Sequence, residues 1–473
     1  MSPARVVKRS AGVWQRTVRP AIAPRPPGDL APASFGQEQI WLHGLLAPMV
    51  PLYTESVTIR YRGWLHRELL LTSFLEFVRR HEAWRTTFEW NDGRLMQRVH
   101  SDLEPRITVH DVRDVAADRR DATALELAAA DLAEPFDVTR ESGVRARLVT
   151  LADDDHRLFL CLHHLVFDGI SIYRVLLPEL AVLYDSAVAG VPPSLEAPPL
   201  QYADFAYWQR VSNPSTGIDL ASSTAYWRTR LTGAPTTIDL AGDRARPAQQ
   251  SFRGALALFD HGPALTAALR RTAREQQCTV FMVLLAGFAA MLHGRSGQTD
   301  MVIGSVSGGR DRRELERVVG YFLRTLMLRI DLRDDPTFRE ILKRVRETVI
   351  EALSHDAVPF QHVVHELIRD RDLGRSPLFQ VTFSVEPPMP AIGPAWDVSE
   401  MDAGAAASKF DLSIELDDRE EAIRGRAIYA VDLFDAPTIA DLLGEWRVAL
   451  ERGMADPERR LCDLVSHGSG SVR

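Results

Sequence analysis

The residues best suited to chemistry lie in one short stretch, residues 163–169, which read His-His-Leu-Val-Phe-Asp-Gly. An apolar run precedes this stretch and a helix-spaced apolar pattern follows it, which predicts a strand, a tight turn and a helix. Successive strand residues point to opposite faces, so His163 and His164 cannot both face one cavity. We expect one imidazole to be available for proton transfer and the other to be packed.

Asp168 stands where the predicted helix begins, and a carboxylate there can accept free N–H groups and meet the positive end of the helix dipole. A histidine beside such a helix start could transfer a proton next to a forming oxyanion. The alternative is structural, because a histidine in an apolar strand is often a core residue and an Asp before Gly is often only a cap.

A metal site is the weaker interpretation of the histidines. Adjacent histidines on a strand diverge, and no Cys ligands cluster beside them. His355, His362 and His365 are also close in sequence, but no acidic or Cys partner stands at matching spacing. We therefore predict no metal.

The composition limits the function classes that are open to this chain. Its 473 residues favour two domains, and its 45% hydrophobic and 25% charged residues are typical of globular proteins. The formal net charge of −8 argues against a nucleic-acid binder. The longest apolar run, residues 280–292, is too short to span a membrane. Three widely spaced cysteines fit a reducing cytoplasm without disulfides.

The chain ends differ in composition from its interior. Residues 1–30 are basic and rich in proline, which predicts a disordered tail, and residues 466–473 are expected to fray. Residues 31–195 are expected to form one lobe, and residues 196–465 a proline-rich linker and a second lobe.

Both expected lobes mix helices and strands. The first shows a helix over residues 67–80, a strand over 86–90, a hairpin turn at 152–155 and a helix over 170–187. The second shows helices over residues 263–274, 280–292, 337–352 and 437–452, strands over 301–306 and 410–416, and a long loop over 387–407.

Residues 163–169 resemble the HHxxxDG core of condensation domains from nonribosomal peptide synthetases, which are chloramphenicol-acetyltransferase-like acyltransferases. Six further stretches resemble the other motifs of this family in order: residues 34–42, 80–88, 202–208, 319–326, 355–360 and 373–381. The resemblance covers roughly residues 31–460. The chain departs from the usual motifs at Gly36, Gln39, Arg324 and Val358, where Ala, Arg, Asn and Tyr are usual.

The resemblance implies an α/β fold of two chloramphenicol-acetyltransferase-like lobes, forming a V-shaped pseudo-dimer with a central cleft. It implies that His164 is catalytic and orients the nucleophile, and that the N–H of Gly169 lies near the oxyanion. His163, Asp168, Arg85 and Arg310 are then expected to support the site, with Asp168 ion-paired to Arg310 and tying the lobes together. Possible cavity-lining residues are Arg324, a cation in place of an amide, and Ser384.

The resemblance also implies the reaction and its partners. A free-standing, cytoplasmic condensation enzyme of antibiotic or other secondary metabolism would take an acyl or aminoacyl thioester from a peptidyl or acyl carrier protein. The substrate would ride on the carrier's phosphopantetheine arm, with no cofactor bound to the enzyme, and an amine on a small molecule or a second carrier would accept it. No nucleic acid or membrane is expected as a partner.

Two other functions remain open on the sequence. An O-acyltransferase that makes esters from carrier or CoA thioesters would share the same histidine motif. A degenerate module that docks carriers without catalysis is a different class, and the intact His164, Asp168 and Gly169 argue against it. Epimerisation domains share the core motif, but none of their other motifs is recognisable here.

Overall fold

A computed structural model of the chain describes residues 5–10, 13–18, 21–28, 30–212, 220–368, 372, 374–386, 393, 395–399 and 407–465. The strands in chain order are β1 (Arg5–Ser10), β2 (Val13–Val18), β3 (Leu30–Pro32), β4 (Thr54–Arg62), β5 (Thr86–Asn91), β6 (Arg94–Val99), β7 (Arg106–Asp111), β8 (Val144–Ala152), β9 (Asp155–His163), β10 (Gly254–Asp260), β11 (Asp300–Ser307), β12 (Arg324–Asp331), β13 (Val381–Glu386), β14 (Trp396–Ser399), β15 (Leu412–Asp418) and β16 (Ile423–Ala430).

The α-helices are α1 (Phe35–Gly44), α2 (Arg67–Arg80), α3 (Arg120–Ala133), α4 (Leu177–Ala189), α5 (Tyr202–Tyr207), α6 (Leu220–Leu231), α7 (Gly262–Glu275), α8 (Val280–Ser296), α9 (Phe338–Ser354), α10 (Phe360–Leu367), α11 (Ala436–Ala455) and α12 (Leu461–Leu464). Two π-helical segments, Ser171–Leu176 and Trp208–Ser212, extend α4 at its start and α5 at its end. The fold is therefore mixed α/β, as predicted.

The chain groups into two units. The first combines Met1–Asp219, Gly308–Leu323 and Met389–Ala403, and the second combines Leu220–Ser307, Arg324–Pro388 and Gly404–Arg473. The sequence-based division at residue 196 treats each lobe as one continuous stretch, whereas here two later segments join the first unit. The reason for one of them is visible in the core, because Leu315, Val319 and Phe322 pack among the buried residues of the first unit.

The first unit is built on a five-stranded sheet with the order β14-β4-β9-β8-β7. β4 and β8 lie antiparallel on either side of β9, while β7 runs parallel to β8. β9 is buried on both faces, because Leu158, Leu160 and Leu162 lie in one apolar cluster and Phe159 and Cys161 lie in another. The turn after Ala152 closes the predicted hairpin with β8. The sheet places the end of β9 next to the start of β4, where Thr54 pairs with His163.

The amino-terminal residues differ from the prediction of a disordered tail over residues 1–30. β1 and β2 pair antiparallel in the structure, and both are rich in β-branched residues, which favour strands. Ile22 is buried, and Arg25 forms ion pairs with Glu82 and Asp204. One apolar and one charged side chain therefore anchor residues 21–28 to the first unit, while the other residues of this proline-rich stretch are exposed.

The second unit is built on a six-stranded sheet with the order β10-β16-β15-β13-β11-β12. Among the described helices of this unit, α8 has the most buried residues, and the sequence predicts it over residues 280–292. The helix extends to Ser296, because Thr279 caps its start and Gly297 ends it with a φ of 70°. Apolar residues of α8, α9, α11 and the sheet form one core.

Several other sequence-based boundaries can be compared with the structure. α2 spans the predicted residues 67–80, and α9 and α11 lie within three residues of their predictions. The predicted loop over residues 387–407 falls largely outside the described residues, and its described part contains β14, which pairs with β4. Leu373 of the seventh motif and residues 466–473 also lie outside the described residues.

Within the described part of the chain, no single helix combines the length and apolar character needed to cross a bilayer. α7 and α8 taken together do meet those criteria, with a bend of 106° between them.

Candidate active site

The Asp168 carboxylate is fully buried and joins two distant stretches of the first unit. Its Oδ1 accepts the N–H of Ser171 at 2.8 Å, which is the helix cap that the sequence predicts. Its Oδ2 accepts the N–H of Phe322 at 3.1 Å and a hydrogen bond from the Arg310 guanidinium. Arg310 also donates to the carbonyl of Val318 at 3.0 Å. A buried side chain that accepts this many hydrogen bonds is held in one position and suits a structural role.

The predicted ion pair between Arg310 and Asp168 is therefore present. Its expected place between two lobes is not what the structure shows, because Gly308–Leu323 belongs to the first unit together with Asp168. The guanidinium of Arg310 also lies over the Phe322 ring, with its carbon 4.2 Å from the ring centroid. The pair fixes the Gly308–Leu323 segment beside the helix that Asp168 caps.

His164 lies in the turn immediately after β9. The strand ends at His163, so the strict alternation assumed from the sequence does not extend to His164. The two side chains are separated by the turn, in which the N–H of His164 donates to the carbonyl of Tyr53 at 2.9 Å. The carbonyl of Leu165 accepts a hydrogen bond at 3.0 Å from the side-chain amide of Gln37. Backbone contacts on both sides thus fix the position of the imidazole.

Aromatic rings surround the His164 imidazole. Phe167 stacks on it with a centroid distance of 4.7 Å and an interplanar angle of 3°, and Tyr53 and Tyr321 approach it edge-on at 6.4 and 5.7 Å. Burial raises the pKa of both tyrosines well above their ordinary value, so both phenols stay neutral at physiological pH. The His164 side chain is 15% exposed. The imidazole therefore has weakly polar surroundings and remains partly accessible to solvent.

The two nitrogens of His164 differ in environment. Nδ1 is buried and has no hydrogen-bond partner among the described residues. Nε2 lies 3.6 Å from Oε1 of Glu55, a half-buried residue of β4. This carboxylate was not identified from the sequence, because its proximity depends on the register in which β4 pairs with β9. Nε2 is the nitrogen better placed to meet a reactant.

His163 is the last residue of β9, and its expected supporting role stays a prediction. Its Nδ1 accepts the N–H of Leu165 at 3.2 Å, and its own N–H donates to the carbonyl of Gly143 at 2.8 Å. Its ring meets that of Phe136 edge-on at 6.0 Å and is half-buried rather than sealed in the core. These contacts shape the turn that carries His164.

Gly169 begins the first helical turn after Asp168 and is half-buried. Backbone N–H groups in the first turn of a helix have no partner within the helix itself. The expected role of this N–H at an oxyanion stays a prediction.

Arg85 ends a short helical turn over Glu82–Arg85. Its guanidinium donates to the carbonyl of His100 and lies 3.9 Å from the carboxylate of Glu82. Among the described residues, none of its hydrogen bonds or ion pairs reaches the histidine motif. Its expected support of this motif stays a prediction.

The first motif contributes a contact that the sequence reading did not identify. Ser34 and Gln37 form a capping box at the start of α1, and Gln37 then reaches the turn that carries His164. At the altered position Gly36, an added Cβ would lie 3.0 Å from the Tyr321 ring. The glycine thus accommodates a ring that contacts His164.

The two predicted cavity-lining residues lie in the second unit. Arg324 forms an ion pair with Asp356 at 2.9 Å, and Asp356 also accepts the Ser307 hydroxyl at 2.6 Å. The cation that replaces the usual amide is therefore compensated by a carboxylate. Ser384 lies half-buried in β13 opposite Glu415, and its role in a cavity stays a prediction. No group of three or more His, Cys, Asp and Glu within the described residues is placed to hold a metal ion.

Comparison with known proteins places these features in a family. The sequence model of the condensation domain matches residues 28–469. The chain is 37% identical over 440 residues to one of the proteins that make up the linear gramicidin synthase of Brevibacillus parabrevis, covering 92% of this chain and 6% of that protein. It is 38% identical over 457 residues to the phosphinothricin tripeptide synthetase PhsC of Streptomyces viridochromogenes, covering 94% of this chain and 41% of that protein. The chain thus spans less than half the length of these relatives.

Solved structures agree with the sequence comparison. The crystal structure of the X-domain from teicoplanin biosynthesis superposes with a TM-score of 0.80 at 29% identity, covering 94% of this chain and all of that one. The same X-domain has also been solved in complex with OxyB, with a TM-score of 0.79 at 30% identity, covering 94% of this chain and 98% of that one.

Proposed function

Because this chain belongs to the condensation domains of nonribosomal peptide synthetases, we propose that it joins a carrier-bound acyl or aminoacyl thioester to an amine acceptor and so forms an amide. The observation that carries this proposal is the placement of His164. Its imidazole is fixed by backbone contacts and aromatic rings, remains partly exposed, and presents Nε2 beside a carboxylate. A positioned imidazole of this kind is suited to general-base catalysis.

In the proposed reaction, the amine nitrogen attacks the carbonyl carbon of the thioester, and the carbonyl oxygen becomes an oxyanion. His164 Nε2 takes the proton that the nitrogen loses, while the backbone N–H of Gly169 stabilises the oxyanion. The tetrahedral intermediate collapses, the carbon–sulfur bond breaks, and the imidazolium returns its proton to the sulfur. The products are an amide and the free thiol of the phosphopantetheine arm.

The partners follow from this chemistry. The family works on carrier-bound substrates, and we infer that a peptidyl or acyl carrier protein delivers the donor on its phosphopantetheine arm. This arm belongs to the carrier and not to the condensation domain, so the proposed mechanism uses no resident cofactor. A small molecule or a second carrier supplies the acceptor.

Purified chain, a loaded carrier protein and a panel of amine acceptors test the proposal. We expect wild type to unload the carrier and produce amide, and His164→Ala to lower kcat/KM by about 10²- to 10⁴-fold. His365→Ala, which changes an exposed histidine of the second unit, is the matched control and should act as wild type. Equal activity of His164→Ala and wild type would remove the role proposed for this imidazole.

A binding role is the second candidate. The X-domain neighbour has been solved in complex with OxyB, and on that analogy this chain would recruit a partner protein without chemistry. Intact mass of the loaded carrier separates the two functions, because a pure docking module would bind the carrier and leave its thioester unchanged in the presence of every acceptor.

A further inference from the structure

Glu55 is a carboxylate placed where a reactant would meet His164. It is the second residue of β4, its side chain is 18% exposed, and its Oε1 lies 3.6 Å from His164 Nε2. Such a distance is too long for a strong hydrogen bond but short enough for an ion pair, and a donor group placed beside the two atoms could contact both of them.

The surroundings strengthen any charge interaction at this point. The rings of Phe167, Tyr53 and Tyr321 line the imidazole, and burial keeps the two phenols neutral. Coulomb interactions are stronger in such a partly desolvated site than in bulk water. A positive group that enters beside Nε2 would therefore be attracted by Glu55 much more than at the open surface.

Amine and alcohol acceptors differ in the charge with which they arrive. An α-amine has a pKa of about 8, so most of it is an ammonium ion near neutral pH, whereas an alcohol is neutral. An amine therefore enters as a cation and must lose one proton before it can attack. A carboxylate at the site favours binding of the cation and leaves the binding of a neutral hydroxyl largely unchanged.

We propose that Glu55 is a positioning residue that selects an acceptor arriving as an ammonium ion, and so directs the site to amides rather than esters. This inference rests on the proposed function. After binding, the ammonium gives one proton to solvent. The neutral amine then attacks, and its second proton passes to His164 Nε2. Glu55 acts before the chemical step by holding the cation beside the imidazole.

The test compares two acceptor thioesters of N-acetylcysteamine that share one carbon skeleton and differ only in an amino or a hydroxyl group. In Glu55→Gln, which keeps the size and removes the charge, we expect KM for the amine to rise by about 10- to 100-fold, as for loss of a hydrogen bond to a charged group. We expect KM for the alcohol to change by less than about 3-fold, because no charge is lost from its complex. Glu55→Asp should recover part of the amine affinity.

Glu89→Gln is the matched control, because Glu89 lies on β5, in a different sheet of the same unit, and pairs with Arg98 at the surface. Circular dichroism checks that each variant is folded. An unchanged amine KM in folded Glu55→Gln, or an equal rise for amine and alcohol, would overturn the selectivity role while leaving the condensation function intact. Failure of wild type to acylate any acceptor would instead remove the proposed function itself.

Discussion

At the scale of single residues, the motif contains a buried, fully paired carboxylate and a partly exposed imidazole. Asp168 is sealed from solvent and accepts four donors, from Arg310, Phe322 and Ser171. His164 is held mainly by rings and leaves Nδ1 unpaired within the described residues. Strong pairing holds a side chain in place, which fits the structural role expected for Asp168, while the partly exposed imidazole fits the catalytic role proposed for His164.

This pairing predicts a large cost for Asp168→Asn. The variant keeps the shape of the side chain but leaves the Arg310 guanidinium, whose side chain is 4% exposed, as an uncompensated buried cation. Breaking a buried pair from one side costs about 3–5 kcal/mol. We expect a loss of that size in the free energy of unfolding from urea titration.

Asp153→Asn provides the matched control. Asp153 also pairs with an arginine, Arg113, but it is 86% exposed. Surface pairs contribute about 0–1 kcal/mol, so this variant should change the free energy of unfolding little. A loss below about 1 kcal/mol for Asp168→Asn would contradict the structural role assigned to the carboxylate.

At the scale of elements, glycines allow two helices of the second unit to approach closely. A Cβ added at Gly287 of α8 would lie 2.4 Å from Cδ2 of Leu450 on α11. Gly287→Ala should therefore force apart two packed helices, at about 1–3 kcal/mol, partly offset by the gain in helix propensity of about 1 kcal/mol. Thermal unfolding should show a lowered midpoint.

Gly444→Ala on α11 separates packing from propensity. Gly444 is exposed, and a Cβ added there meets nothing within 4 Å. This variant gains helix propensity without overpacking, which should add about 0.5–1 kcal/mol to the free energy of unfolding. The midpoint of thermal unfolding should therefore rise by a degree or more. Midpoints that move in the same direction for both variants would exclude close helix packing as the reason for Gly287.

Elements with a local signal could be predicted, and those that depend on distant partners could not. The apolar period of α2 gives its residues 67–80, and the turn between β8 and β9 gives the hairpin. The pairing of β4 with β9 joins residues about 100 positions apart, so no local pattern places Glu55 beside His164. The family resemblance supplied the pair of Asp168 with Arg310, whereas it did not indicate the hydrogen bond that Arg85 donates to the carbonyl of His100.

At the scale of the whole molecule, each unit is built from segments that are not contiguous in the sequence. The first unit takes in Gly308–Leu323 and Met389–Ala403 from the later sequence, so neither unit is a simple half of the chain. Both cores are apolar, yet each contains buried polar groups that must stay paired or neutral. Stability should therefore respond to pH at such groups, even far from the candidate active site.

His261 is the group at which this response is clearest. It directly precedes α7 in the second unit without forming a side-chain cap, and its ring packs edge-on against Phe259 and Trp446 at 5.4 and 5.0 Å. Its Nε2 is buried without a hydrogen-bond partner among the described residues. Burial lowers the pKa of His261 to about 4, with a further lowering by Arg447 that Asp260 opposes.

The sign of the effect follows from linkage. In the unfolded chain the imidazole has a pKa of about 6.5, so between pH 6.5 and 4 the unfolded state binds a proton that the folded state does not. The contribution is complete above pH 6.5 and is lost as the pH falls toward 4. From pH 7.5 to 5.0 this one group should cost about 2 kcal/mol of unfolding free energy.

The substitution His261→Leu removes the titrating group and keeps an apolar side chain against the two rings. We expect the free energy of unfolding to fall between pH 7.5 and 5.0 by about 2 kcal/mol less in this variant than in wild type, measured by urea titration at each pH. His365→Leu changes an exposed histidine of the same unit and should follow the wild-type dependence. Parallel pH curves for wild type and His261→Leu would mean that this imidazole is not held neutral in the folded protein, because linkage then requires equal proton uptake in both states.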